Sequence, residues 1–499
     1  MTTDSDFMPP FDRRRSGILL HPTSLPGPDA RGVLGADAYR FVDFLADSGV
    51  TVWQCLPLGP VHADGSPYQT LSVHAGCLAL IDWARCREAG WLDDDGPAQA
   101  STADQASLRE DRLRRTLNGF QRQASLADRQ HYERFKADRR PWLEDFVLFS
   151  AIKVEQGDRP WWDWSRELRN RDAETLAQFQ SSHSERLEAY RFGQYLFFRQ
   201  WHDLKTYANE RGVLLFGDMP IFVAHDSAEV WARRDLFSLD AEGRALTVAG
   251  VPPDYFSSTG QRWGNPHYNW EAMQAEGFTW WIERMGTQLE LFDLVRIDHF
   301  RGFEAYWEIP AHETTAINGR WVPAPGRALF ERLWEAFGEL PVVAEDLGII
   351  TEEVERLRRD FGMPGMKILQ FAFDSGDDNP YLPPNHEPLA IVYTGTHDNN
   401  TSLGWFQSLE DWHRQRVLDY LGHPQEPMPW PLIRTALESI ARMAVIPMQD
   451  YLGLDTRGRM NQPGTIDPSN WSWRFQWNEV PDGLAEHIRT LNEHFDRIP

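Results

Sequence analysis

The sequence predicts an α/β protein, a (β/α)8 TIM barrel carrying large, mainly helical insertions in its βα loops. Three observations carry that prediction. Eight short β-branched or apolar runs recur along the chain, and short continuous apolar runs fit strands buried on both faces. Stretches with helical spacing separate them, so strands and helices alternate as a parallel sheet requires. The length, 499 residues, allows about three domains at roughly 150 residues each. It equally allows one barrel, because enlarged loops take this fold beyond ~400 residues.

In chain order, the first run, 17–20, ends before His21, and the second is 52–56. The third, 213–216, runs into Gly217 and Asp218; the fourth, 294–297, runs into Asp298. The fifth, 342–344, precedes Glu345 and Asp346, and the sixth is 367–373. The seventh, 390–393, precedes Thr394, and the eighth, 444–447, is followed by Gln449 and Asp450. Helical spacing marks 36–48, 270–290, 325–338, 351–360, 409–421 and 431–443. Eight such units favour one closed barrel over 1–499 rather than an open sheet.

Uneven spacing locates the insertions. Over 150 residues separate the second and third runs, and their middle, 103–153 and 172–210, is rich in Leu, Arg, Glu, Gln and Ala, all helix formers. A mostly helical subdomain is expected at about 84–205. A second insertion, about 237–275, is expected over the barrel mouth and contains GVPPDYFSSTGQRWGNP (250–266). Its dense Gly and Pro, interleaved with Tyr255, Phe256 and Trp263, describe an ordered surface loop.

Composition narrows the function. Hydrophobic residues are 41% of the chain, enough for a sizeable core. Asp and Glu number 74 against 50 Lys and Arg, a net charge of −24. Such a field repels phosphate backbones and anionic lipid, which argues against nucleic acid or membrane as the main partner. Cys55, Cys77 and Cys86 make neither a disulfide framework nor a zinc cluster. The opening MTTDSDFMPPFDRRR has no apolar signal core, and no run reaches the ~18 apolar residues of a membrane span. A soluble cytoplasmic protein, monomer or homodimer, is expected. No phosphate-binding Gly loop or Cys/His metal site is legible, so no cofactor and no metal are expected. The 22 Trp residues are explained mostly by core packing, with a cleft for sugar rings as the pointed alternative. Trp263 and Trp405, each in a loop after a strand, are the cleft candidates. Trp471 and Trp473 flank Ser472 and are expected to share one face of a strand-like segment and pack in the core.

In such a barrel the chemistry sits at the C-terminal ends of the strands. Four runs lead into an acid: Asp218, Asp298, Glu345 and Asp398. One Asp after a strand is an ordinary helix cap. Four acids on one rim would repel and raise one another's pKa, so they either bind a metal or act on developing positive charge. Glycoside chemistry uses such a set: one carboxylate attacks the anomeric carbon and a second, protonated, donates to the leaving oxygen. Arg296 lies two residues before Asp298, on the same face of the strand, where it is expected to lower that carboxyl's pKa and hold it ionised. Glu345, after an apolar run and beside Asp346, is expected to have a raised pKa suited to a general acid. His299 and His397 are donors placed to hold sugar hydroxyls, and each taken alone reads as a structural hydrogen-bonding residue.

The motifs together resemble the amylomaltase, or disproportionating-enzyme, family of 4-α-glucanotransferases, relatives of the α-amylases. The resemblance runs nearly end to end: GILLHPTSLPGP (17–28), SPYQ (66–69), FGDMPIFVAHDSAEVW (216–231), the 250–266 segment, VRIDHFRGF (295–303), VVAEDLG (342–348), GTHDNNT (395–401) and NQPGTIDPSNWSWR (461–474). One departure is Cys77 in SVHAGCLAL, where members tend to carry Asn. The resemblance implies Asp298 as nucleophile, Glu345 as acid/base and Asp398 as the third carboxylate, gripping and distorting the sugar at the cleavage point. It implies that Arg296 orients Asp298, that His397 binds the same sugar and that Asp218 belongs to the supporting polar shell. His299, Trp263 and Asn470 are further candidates for substrate contact, Tyr255 and Phe256 for a loop overhanging the cleft, and Tyr68 for a glucan contact away from the catalytic centre.

The implied substrates are α-1,4-glucan donors with glucose or maltooligosaccharide acceptors. Whether the intermediate goes to a sugar hydroxyl or to water depends on acceptor binding and water exclusion, so transfer over hydrolysis rests on the resemblance. Three other readings stay open at this point. An α-amylase-like hydrolase is one. A metal-dependent barrel enzyme is another, although no suitable Lys ends runs six to eight. A glucan-binding scaffold without activity is the third, although binding alone needs no nucleophile and acid together.

Overall fold

The computed structural model describes residues 10–27, 31–93, 102–253 and 257–499. Its strands, in chain order, are β1 (Arg15–Leu19), β2 (Val52–Gln54), β3 (Leu214–Pro220), β4 (Thr247–Val251), β5 (Gln261–Pro266) and β6 (Leu294–Asp298). They continue as β7 (Ala305–Pro310), β8 (Arg320–Pro323), β9 (Val342–Ala344), β10 (Gly365–Ile368), β11 (Ala390–Tyr393) and β12 (Met443–Pro447). Eight of them form one parallel sheet in the order β10-β11-β12-β1-β2-β3-β6-β9. The remaining seam, between β9 and β10, is joined by the Ala344 N–H donating to the Pro364 carbonyl at 2.9 Å. Asp346 reinforces it by accepting from the Met366 N–H at 2.7 Å. The result is the predicted (β/α)8 barrel.

Alternation along each strand separates two apolar layers. Leu19, Val52, Phe216, Leu294, Val343, Ile391, Met443 and Val445 pack together inside the barrel. Their neighbours Ile18, Trp53, Leu215, Val295, Val342, Val392 and Ala444 join the larger core under the surrounding helices. By the same parity Gln54, Asp218, Arg296, Asp298 and Tyr393 point inward. An inward residue at the last position of a strand emerges at the barrel mouth, and that parity positions the site.

Between β2 and β3 the helices Thr102–Gln123, Leu126–Asp138, Arg140–Glu155, Ala173–Ser182 and Ser184–Glu210 occupy the region read as helical. Their starts are capped as the sequence dictates: Ser125 accepts from the Asp128 N–H and Asp172 from the Thr175 N–H, each satisfying a donor that the first helical turn leaves unpaired. The last helix buries Leu196, Phe197, Trp201 and Leu204. Its Gln194 amide donates to the Gly76 carbonyl at 3.0 Å and accepts from the Gly76 N–H at 2.8 Å. Gln200 treats Asp82 in the same way, at 2.9 and 2.8 Å. This clamps the 76–82 segment, and with it the loop that carries Tyr68. No helix among the described residues is long and apolar enough to cross a membrane.

Three local expectations change. The stretch 250–266, read as a surface loop, instead supplies the end of β4 and all of β5, in an antiparallel sheet ordered β5-β4-β7-β8. Gly250 and Pro266 flank a register shift in the β4–β5 pairing, where glycine marks close backbone approach rather than a loop. The sixth run is displaced: β10 is Gly365–Ile368, and Leu369–Phe371 turns into a 3-10 helix. The helix expected over 431–443 is Trp430–Glu438 and ends five residues before β12 begins at Met443.

Candidate functional site

The barrel mouth opens into a cavity of about 730 Å³ lined by Arg296, Asp298, His299, Glu345, Asp398 and Trp471, among others. At its floor, β3 and β6 run side by side with Asp218 paired to Arg296. The guanidinium forms a fork: Nη1 donates to both oxygens of Asp218, at 2.9 and 2.7 Å, and Nη2 donates to Asp298 Oδ1 at 2.8 Å. Asp298 Oδ2 carries no hydrogen bond among the described residues and is free to face a ligand. The Arg296 side chain is 6% exposed and that of Asp298 31%, so the cation is the buried support and the carboxylate the working surface. Tyr68 donates its hydroxyl to Asp218 Oδ2 at 2.8 Å, adding a second donor to that carboxylate.

Glu345 follows β9. Both its carboxyl oxygens accept backbone N–H groups, from His299 at 2.7 Å and from Leu347 at 3.0 Å. His299 presents its N–H by adopting φ 55°, ψ 48°, a left-handed conformation uncommon for a residue with a side chain. Its ring meets Trp263 edge-on at 4.9 Å, and its Nε2 is buried without a hydrogen-bond partner among the described residues. Asp398 lines the same cavity, held by Asn461 Nδ2 donating to Oδ1 at 2.6 Å, with His397 Nε2 at 3.5 Å from Oδ2. Tyr68 stacks on His397 at 5.1 Å, and Trp471 lies 6.0 Å from the same imidazole.

Burial dominates the protonation chemistry. It pushes the Glu345 carboxyl up to about 7; Arg296 opposes the shift and the Asp298 charge adds to it, while the two backbone N–H groups also oppose it. The expected raised value is therefore present, but Asp346 is not its cause, since that residue is turned to Met366 and the barrel seam. Asp298 departs from expectation. Its carboxyl lies above the ordinary carboxylate value, because burial outweighs the stabilising charge of Arg296 and the neighbouring Asp218 adds repulsion. One guanidinium shared by two carboxylates cannot do for Asp298 what a private ion pair would. Burial also pushes the His299 imidazole down to about 3, so that ring is neutral. The Arg296 guanidinium rises well above its usual value despite its burial, held by Asp218 and Asp298.

The remaining candidates divide. Trp263 lines the cavity with His299. Tyr68 is not remote from the carboxylates: the SPYQ turn folds back over the mouth and brings it onto Asp218. Asn470 lines the cavity, but its amide is engaged in its own loop, donating to Thr465 and accepting from Gln462. Tyr255 and Phe256 lie outside the described residues. Trp405 packs on Phe373 from the helix Ser402–Ser408 and does not line the cavity. Trp471, expected in the core, lines it instead. Its backbone is left-handed at φ 61°, which breaks the alternation that would have turned it inward with Trp473. Asn461 was missed, although NQPG opens one of the recognised motifs, because its partner Asp398 is 63 residues away in sequence.

Among the described residues, no group of three His, Cys, Asp or Glu side chains is arranged to hold a metal ion. An ion-paired carboxylate with one free oxygen, a carboxyl that burial makes hold its proton more tightly and a third carboxylate lining the same cavity can together displace a leaving group at an acetal carbon.

Comparison with known proteins agrees with this chemistry. Residues 20–479 match the model of a family described as 4-alpha-glucanotransferase. The chain is 48% identical to a 4-alpha-glucanotransferase of Thermus thermophilus, over 97% of this chain and 99% of the relative. It is 47% identical to one from Synechocystis, over 98% and 99%. Among solved structures, an amylomaltase from Streptococcus agalactiae in complex with acarbose is similar at a TM-score of 0.92 and 37% identity, covering 98% of this chain and all of that one.

Proposed function

The chain belongs to the 4-alpha-glucanotransferase family, and from that premise we propose that its barrel mouth transfers segments of an α-1,4-glucan to the 4-hydroxyl of a second glucan or of glucose through a covalent intermediate on Asp298. Asp298 Oδ2 attacks the anomeric carbon while the bond to the leaving oxygen breaks and Glu345 delivers its proton to that oxygen. The acceptor hydroxyl then returns a proton to Glu345 as its oxygen displaces the Asp298 carboxylate. Two inversions give net retention. Asp218 and Tyr68 fix Arg296, Arg296 fixes Asp298, and Asp398 with His397 and Asn461 grips the sugar whose anomeric carbon reacts. Charge supports these roles: Asp298 and Asp398 flank the place where an oxocarbenium-like centre would form, a stabilisation worth most in a buried site.

The observation that carries the assignment is the difference between the two carboxyls. One is bound to a buried guanidinium, and the other is pushed up to about 7 and, among the described residues, hydrogen-bonded by backbone donors. Environments that separate two carboxyls in this way define nucleophile and acid. The test uses the Glu345→Gln variant with α-maltotriosyl fluoride. Fluoride departs without an acid, and the intermediate then lacks its base. The expected result is a maltotriosyl mass increment on the peptide containing Asp298; an increment elsewhere would remove Asp298 from the nucleophile's role.

We propose further that the whole chain acts as one catalytic unit, with about 84–205 and 237–275 as insertions into it. Support comes from the helix Ser184–Glu210, which packs on both the insertion and β3, and from β5, whose Trp263 lines the cleft.

A further inference from the structure

Trp321 is an unusual tryptophan. It sits on β8, the edge strand of the four-stranded sheet, and is 38% exposed, whereas most tryptophans are largely buried. Its exposure is not slackness. The Arg301 guanidinium lies over the ring at 3.7 Å from its centroid, and Trp307 packs edge-on at 5.2 Å and 67°. Trp307 is itself pinned by its indole N–H donating to the Ala316 carbonyl at 2.9 Å. Arg301 is 7% exposed and also donates to the Ile349 carbonyl. A buried cation on one face and a fixed indole at the edge hold Trp321 rigidly, and its exposed remainder lines the same cavity as the carboxylates.

The location says which part of a glucan it meets. Arg301 stands three residues after Asp298, on the turn that follows β6, and Ile349 stands four residues after Glu345. Trp321 is therefore tied to the Glu345 side of the cleft, whereas Asp398, His397, Asn461 and Trp471 stand on the loops that follow β11 and β12. Glu345 protonates the departing sugar and later accepts the proton of the incoming one, so this side holds the leaving and accepting chain. Ile349, 64% exposed, extends the apolar surface beside it.

The geometry points to Trp321 as a platform on which a sugar ring of the acceptor chain stacks, beyond the residue that reacts, so that it sets the preference for chain acceptors over glucose. The inference rests on the transferase reading. The ring is chemically suited: its face takes the C–H face of a pyranose, and a pre-fixed side chain loses little entropy on binding.

The experiment measures, within single preparations of wild type, Trp321→Ala and Trp321→Phe, the ratio of transfer efficiency to maltotetraose over that to glucose from one common donor. A ratio inside one preparation cancels losses due to misfolding. Trp321→Ala should lower it by roughly three- to tenfold, the size of one aromatic stacking contact, chiefly through KM for the chain, and Trp321→Phe should restore most of it. An unchanged ratio in Trp321→Ala overturns the platform. A second readout needs no turnover: calorimetric binding of maltohexaose to Asp298→Asn, with and without Trp321→Ala. Equal affinity in the two proteins also overturns it. If wild type gives no transfer product, the transferase reading fails, while the binding comparison still decides whether Trp321 holds a glucan.

Discussion

Arg296 is the residue around which the site is balanced, because it divides one positive charge between Asp218 and Asp298. Activity requires Asp298 ionised, so it is lost as pH falls through a carboxyl value that burial and Asp218 have raised. Asp218→Asn removes a neighbouring negative charge, so the acid limb of kcat/KM should move to lower pH even as the rate falls. A limb that stays or moves up would show that Asp218 does not couple to the nucleophile. Glu345 gives the opposite limb: it must be protonated for the first step, and activity should fall as pH rises through about 7. The same shift has a cost in stability. A carboxyl at about 7 when folded, against an ordinary 4.5, binds its proton more tightly in the native state. Its contribution is whole below about pH 4.5 and is lost between there and pH 7. Glu345→Gln should therefore raise Tm relative to wild type by more at pH 8 than at pH 5, as read by calorimetry; an equal difference at both would contradict the buried acid. Asp218, Arg296, Asp298 and Glu345 were legible because each lies on or just after a strand whose parity can be read, and Asp398 because its motif follows the seventh run. Trp471 and Asn461 were not, because a left-handed backbone and a partner in another loop leave no local signal.

At the scale of elements, the barrel strands were legible as short apolar runs, while the β4–β5 arm was hidden under loop-like composition. Its pairing depends on Gly250, where an added Cβ would stand 2.1 Å from the Gln261 carbonyl oxygen. Gly250→Ala must push β5 away, and overpacking of this kind costs about 1–3 kcal/mol. Because β5 carries Trp263 to the cleft, the variant should lose transfer activity several-fold while the far-ultraviolet circular dichroism of the barrel is kept. Full activity would mean that the arm does not position Trp263. β10 begins two residues before its apolar run, at Gly365, which passes the Asp346 carboxylate 2.1 Å from where a Cβ would lie, and it gives way to a 3-10 turn at Leu369. A glycine fixed by a carboxylate from the segment after β9 is a tertiary constraint that no window of sequence carries.

For the whole molecule, the long insertion between β2 and β3 is part of the structure that holds the site. Its last helix clamps 76–82 through Gln194 and Gln200 and leads straight into β3. Excising 102–210 should give no cooperatively folded protein, checked by thermal unfolding; a cooperative, glucan-binding remainder would show the insertion to be dispensable. The account as a whole claims retaining transfer between α-glucans through Asp298. Its most direct test is chromatography of pure maltotriose incubated with the enzyme and, in parallel, with Asp298→Asn. The account predicts glucose together with a ladder of longer maltooligosaccharides, little gain in total reducing ends, and no ladder from the variant. Reducing ends that rise steadily without longer products would make the protein a hydrolase, and a ladder from Asp298→Asn would place the intermediate on another residue.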